Sequence, residues 1–439
     1  MRRALVIGLV AALCACGTAL AAAGHLAADP LQDREWWLPQ VGADQVASPG
    51  QGVPLSIVDT GVDASHPEFA GRPATTFLNA QTVSGQDEWR GTAVASVAAA
   101  PANGRGVVGV YPAAALQIWD ASPDGTIDPP AAAEGVEAAA ERCPGVIDLS
   151  FGSTEQDPAL AAAVLAAVHR GCLVVAASGN RGDNTRVYPA ALPHVVAVAA
   201  TDESGQRAGF SSGGSWLDVA APGTNVTVAV PLAHDPSGYE VSAGTTFAAP
   251  IVAAAAAWVW TARPHLKASQ LVALLRSTAR DVGPSGFDTA TGFGIVDIPA
   301  ALSAPAPRLD PDEPNDDVDQ VKPGALFAGG EPALTTRRRP SARVGGTLDA
   351  AKDPRDLYRI WVPANRVARA VVAAGGDAAA RMWGPATVGV HEGLRARRRD
   401  LRGPLVRGGT RGSAAYVEVL LTSRSSRADY RLRVRVSRR

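Results

Sequence analysis

Four polar side chains stand where apolar runs break, and their types outline an incomplete chemistry. Asp59 ends the apolar run that starts at Leu55 and is followed by a glycine turn. Arg90 opens the stretch Trp89-Arg-Gly-Thr-Ala-Val-Ala-Ser-Val97, and Asn180 closes Val174-Val-Ala-Ala-Ser-Gly-Asn180. Thr246 sits in a Gly-Thr turn that runs straight into the small-residue helix pattern of residues 242–257. A hydroxyl in that setting is a nucleophile only when something beside it takes its proton. Arg90 cannot do so, because a guanidinium with a pKa above about 12 has no acceptor and stays charged. The methyl of Thr246 restricts χ1. Threonine nucleophiles usually use their own N-terminal amine as base, which an internal threonine lacks.

Behind these residues, short apolar runs alternate with helix-period stretches from Val53 to about Ala304, the pattern of βαβ units. Strands are predicted near Pro54–Asp59, Ala115–Asp120, Val146–Ser150, Leu173–Ala177 and Val195–Ala200. Helices are predicted near Gly91–Ala100, Ala131–Arg142, Pro158–Arg170, Thr246–Ala262 and Lys267–Ala279. Ligand sites in such sheets lie at the carboxyl ends of the strands, where Asp59, Ser150 and Asn180 fall. The 439 residues leave room for one large α/β domain and a second small one.

A net charge of −1 hides an asymmetry: residues 305–439 carry 26 Arg or Lys against 15 acidic residues. Such a tail fits anionic polymers, or a plain solvated surface, since its arginines alternate with apolar residues at strand spacing. Residues 1–23 have the charged start, apolar centre and Ala-x-Ala ending of a secretory signal. The expected location is therefore secreted or cell envelope, with lipid anchoring at Cys16 as the variant that Leu13-Cys-Ala-Cys16 allows. No later segment reads as a transmembrane span of the mature protein, because Ala248–Trp260 reads as a buried core helix. Cys143 and Cys172 remain after the signal, each just before an apolar run expected to form one of two neighbouring parallel strands. A disulfide is the expectation for an exported chain, and two buried free thiols are the alternative.

The stretch 242–257 resembles the nucleophile motif of the subtilisin-like serine peptidases, Gly-Thr-Ser-Met-Ala-Ala/Ser-Pro-His-Val-Ala-Gly, with Thr246 at the serine position. Leu55–Phe69 is similar to the family's aspartate block, with Asp59 in place. Trp89–Val97 is similar to its His-Gly-Thr block, with Arg90 at the histidine position. Asn180 matches the family's oxyanion-hole donor. Asp148-Leu-Ser-Phe-Gly152 resembles the strand end that pairs with substrate in this family, so Ser150, Phe151 and Gly152, with Ser178 and Gly179, are the implied groove; a simple strand terminus is the alternative. The implied fold is a subtilisin-like parallel sheet with helices on both faces, over residues 30–304. Between the signal and Arg34 there is no room for the folding-assisting propeptide of many active relatives.

A linker is expected over 305–330, rich in Pro, Asp and Gly. Residues 331–439 loosely resemble a pre-peptidase C-terminal domain and are expected to form a small β-sandwich, with Tyr430–Val436 as a half-buried strand. No histidine replaces the missing base. His66 belongs to a structural His-Pro, His169 and His194 flank strand starts away from the site, and His234 and His265 lie in polar loops. The spacing of His, Cys and acidic residues fits no zinc pattern, and no glycine-rich phosphate loop is present, so neither metal nor cofactor is expected. The resemblance implies an exported, inactive peptidase homologue that retains a peptide or protein ligand, with no role for nucleic acid. Two alternatives stand beside it: an active serine-type endopeptidase with a non-standard site, and a cell-envelope scaffold or binding protein.

Overall fold

The computed structural model describes residues 29–81, 83, 87–122, 124–307, 333–349, 355–374, 377–384, 394–395, 405–422 and 427–438. The proposed signal with Cys14 and Cys16, most of the proposed linker, and Arg397–Arg399 lie outside them. The chain opens with helix α1 (Trp37–Val41), strands β1 (Pro54–Asp59) and β2 (Thr75–Phe77), helix α2 (Arg90–Ala99) and strand β3 (Ala115–Asp120). Then follow α3 (Pro129–Ala140), β4 (Val146–Leu149), α4 (Pro158–His169), β5 (Leu173–Ala177), β6 (Val195–Thr201) and β7 (Val219–Pro222). The hairpin β8 (Val226–Ala229) and β9 (Tyr239–Ser242) leads into α5 (Thr245–Ala262), with α6 (Ala268–Thr278) and α7 (Ile298–Ser303) behind it.

Seven strands form one parallel sheet in the order β2-β3-β1-β4-β5-β6-β7. Strands β4, β5 and β6 are buried throughout, which is why they read as continuous apolar runs; a parallel sheet covered on both faces exposes neither. Helices α2 and α5 pack together, and α3 packs on α4. Every residue of α5 from Phe247 to Trp260 is buried. The helix is long and apolar enough to cross a membrane, yet 83% of it is buried inside the fold. Its alanines let it lie close against β4, β5, β6 and β7. The chain builds outward from β1 to β3, then returns to β4 on the other side of β1, so the order reverses beside β1. Ligand crevices open at such a reversal, outside the carboxyl ends of the strands.

Cys143 and Cys172 are disulfide-bonded with their Cα atoms 5.2 Å apart. The bridge ties the entries of β4 and β5, whose register begins at Val146 opposite Leu173. Toward the C-terminus follow β10 (Ser341–Asp349), β11 (Arg355–Val362), β12 (Arg366–Ala373), β13 (Ala378–Trp383), β14 (Leu394–Arg395), β15 (Leu405–Arg407), β16 (Ser413–Leu421) and β17 (Arg427–Arg438). They form two antiparallel sheets, β10-β17-β12-β15 and β11-β16-β13-β14. Leu348, Ile360, Val417, Tyr430 and Leu432 from both sheets share one core. Burial along β17 alternates residue by residue, as its Arg-apolar alternation predicts.

Candidate functional site

Asp59 is the last residue of β1, and its carboxylate is 1% exposed. Its Oδ1 accepts from the Thr60 backbone N–H at 2.7 Å and from Arg90 Nε at 2.9 Å. Arg90 reaches it because α2 begins against the turn after β1. Gly91 donates its N–H to Thr60 Oγ1 at 2.9 Å, and a Cβ on Gly91 would lie 2.0 Å from the Gly61 carbonyl oxygen. Only glycine allows that approach. The contact uses one tooth of the fork: Asp59 Oδ2 and Arg90 Nη2 are both buried without a hydrogen-bond partner.

Thr246 is the second residue of α5 and half-buried. Helices α3, α4 and α7 each begin under an Asp side chain that accepts from first-turn N–H groups, whereas α5 begins at Gly244 with no side-chain cap on the N-cap residue. Its first donor, the Thr245 N–H, is taken instead by Asn180 Oδ1 at 2.9 Å. The Thr245 hydroxyl donates to the same oxygen at 2.9 Å and accepts from the Gly179 N–H at 3.0 Å. Thr245 thus clamps the loop after β5 onto the start of α5, a role that no local pattern in the sequence signals. The clamp occupies the amide oxygen of Asn180 and leaves Nδ2 free: among the described residues neither that nitrogen nor the Thr246 N–H and hydroxyl has a partner. Free donors at a helix N-terminus favour an anionic oxygen.

At the end of β4, Ser150 is fully buried and donates its hydroxyl to Asp148 Oδ2 at 2.7 Å. Ser178 is fully buried and donates to the Ser212 carbonyl at 3.0 Å. These two side chains are therefore turned inward, and only their backbones can meet a ligand. Phe151 is half-buried, Gly152 is exposed and Gly179 is half-buried. Asp148 does not stand out in the sequence as a site residue. Complete burial pushes its carboxyl well above the usual carboxylate range, the Ser150 hydrogen bond opposes this, and the Asp59 charge adds to it.

Trp89 stacks on His234 with ring centroids 5.2 Å apart and on Phe247 at 6.5 Å. His234 lies in the turn expected for it, and its Nε2 stands 3.1 Å from Glu240 Oε2. It is thereby turned to Trp89 and Glu240. His66 is buried between the Gly238 carbonyl and the Glu68 N–H, and burial lowers its pKa, in keeping with a structural role. His265 is exposed, and His25 and His391 lie outside the described residues. Among the described residues no group of three His, Cys, Asp or Glu is placed to hold a metal.

Residues 50–294 match the Subtilase family, peptidase S8. This chain belongs to the subtilase family. The subtilase region is 37% identical over 255 residues to Subtilisin Savinase of Lederbergia lenta, covering 57% of this chain and 91% of that protein. It is 36% identical over 274 residues to Subtilisin DY of Bacillus licheniformis, covering 60% of this chain and 97% of that one. Its fold is similar to the crystal structure of a psychrophilic subtilisin-like protease from the Antarctic psychrotroph Pseudoalteromonas sp. AS-11, with a TM-score of 0.56, 20% identity, and coverage of 62% of this chain and 99% of that one. Asp59 and Arg90, in contact at the end of β1, and Thr246, at the start of α5, all lie within the matched residues.

Proposed function

We propose that this subtilase is an exported peptidase homologue that has lost peptide-bond hydrolysis and holds a peptide or protein in the inherited crevice. The observation that carries the reading is the Arg90–Asp59 contact at 2.9 Å. The carboxylate that would orient a basic imidazole is spent on a cation that accepts no proton, and the Thr246 hydroxyl has no base. The open donors at Thr246 N–H and Asn180 Nδ2, with the backbone at Ser150–Gly152, are what a ligand carbonyl would meet. Export is supported by the Cys143–Cys172 disulfide, since such bonds persist in oxidising compartments, and by the signal-like composition of residues 1–23.

The test is incubation of the pure protein with casein, peptide esters and a serine-directed phosphonate between about pH 5 and pH 10. Neither turnover nor labelling is expected. In subtilisin, itself a subtilase, loss of the serine or histidine lowers kcat by about 10⁶, with roughly 10³–10⁴ over water remaining from the oxyanion hole and binding. Arg90→His alone and Thr246→Ser alone are expected to do little, and the pair together to recover measurable turnover, because triad members act as a unit. Robust phosphonate labelling of the unmodified protein at Thr246 would overturn the reading.

A further inference from the structure

The two C-terminal sheets treat their arginines in opposite ways. In β11-β16-β13-β14 the charges are answered: Arg355 and Arg381 pair with the buried carboxylate of Glu418 at 3.3 and 3.4 Å, and Arg381 also lies over the Trp383 ring. In β10-β17-β12-β15 Arg369 is engaged, whereas Arg343, Arg407, Arg431, Arg433 and Arg435 are not. Arg431, Arg433 and Arg435 alternate along β17 on its exposed face, while Tyr430, Leu432, Val434 and Val436 fill the core from the other. Register sets Arg343 of β10 directly opposite Arg433, and Arg369 of β12 directly opposite Arg435. Arg407 on β15 extends the same face. Among the described residues no hydrogen bond or ion pair engages the side chains of Arg343, Arg407, Arg431, Arg433 or Arg435. Of the residues directly opposite them, Gly345, Ala373 and Ser341 are too small to screen them, and a carboxylate on this face, Asp429 at the near end of β17, accepts from the Thr347 hydroxyl at 2.7 Å.

Like charges directly opposite one another destabilise a sheet, and the core residues of these strands already secure the fold. Threonine or glutamine at the outer positions would serve folding better. The arginines form a flat lattice, roughly 5 Å apart between strands and about 7 Å apart along β17. A guanidinium grips a planar oxyanion through two parallel N–H donors, and an array of them suits a chain that repeats such a group. Among the described residues the face carries no aromatic ring on which a nucleobase could stack, and its one exposed large apolar side chain is Val371, too little to enter a lipid surface. We infer that the outer face of β10-β17-β12-β15 binds a linear acidic polysaccharide bearing a carboxylate or sulfate on each repeat.

The full-length protein is titrated with polygalacturonate and with dextran sulfate at about 50 mM salt, two arms that separate carboxylate from sulfate as the bound group. Binding to either is expected, weakening as salt rises. The R431Q/R433Q/R435Q variant should bind about tenfold more weakly, as expected for three exposed ion pairs. R170Q/R337Q/R338Q removes the same charge from exposed positions elsewhere and should bind like the wild type. If R431Q/R433Q/R435Q does not melt as the wild type does, R433Q alone is compared with R338Q. Failure of both polymers to bind, equal loss in the control variant, or displacement of the polysaccharide by lower concentrations of single-stranded or duplex DNA would overturn the inference.

Discussion

Replacing Arg90 by alanine isolates what the Arg90–Asp59 contact contributes to stability. Asp59 would then keep the Thr60 N–H at 2.7 Å as its one recorded donor, with its carboxylate 1% exposed. Breaking a buried ion pair by deleting one partner costs about 3–5 kcal/mol. Arg90 is itself 28% exposed, so water enters the space it leaves and the cost falls toward that of solvent-screened pairs. About 2 kcal/mol remains as the expected loss, a fall in Tm of roughly 4–8 °C for a region of this size. Asp59→Asn in the Arg90→Ala background removes the stranded charge and should restore more than half of that loss. The assay is urea unfolding of wild type, both single variants and the double variant, read as a cycle. An Arg90→Ala protein within about 0.5 kcal/mol of wild type, or a double variant no more stable than Arg90→Ala, would refute the pairing as a source of stability.

Two further expectations concern stability. Glu35 is 2% exposed, with Oε1 accepting from the Val108 N–H at 2.9 Å and Oε2 buried without a hydrogen-bond partner. Burial pushes its pKa up to about 9, the Val108 hydrogen bond opposing and the charges of Asp29 and Glu68 adding. A carboxyl whose folded pKa is raised stabilises fully below its unfolded value of 4.5, and that stability is lost as pH rises toward about 9. Tm should therefore fall between about pH 6 and pH 8.5, and Glu35→Gln should flatten that slope; an unchanged slope would exclude Glu35 as its source. For the disulfide, which closes a loop of 29 residues, C143S/C172S should cost about 3–4 kcal/mol on chain entropy, measured as a lower urea midpoint that added reductant no longer shifts.

Much of the α/β region is legible in the residues because its signals are local. β1, β3 and β5 fall on their predicted runs, and α4 and α5 within a residue of theirs, since parallel strands and buried helices declare themselves as unbroken apolar stretches. β2 and β7 escape prediction: three and four residues in an alanine-rich chain give no period to read. Asp59, Arg90, Asn180 and Thr246 can be named because each sits in a contiguous motif, and the residue types alone rule out an arginine as base. The unbroken runs after Cys143 and Cys172 also point to neighbouring strand entries, where the bridge lies. Tertiary structure decided what joins residues far apart in the chain. Packing of α2 on the turn after β1 makes the Arg90 contact a single Nε donation and strands Nη2. The loop after β5 meets α5 through Thr245, turning Asn180 so that its amide nitrogen is the free end. The core around β4 takes the Ser150 and Ser178 side chains out of reach and raises the pKa of the Asp148 carboxyl by burying it, while the β8–β9 hairpin brings His234 onto Trp89. Each of these is a matter of direction and burial between elements, and no pattern along one segment encodes the direction in which another will face it.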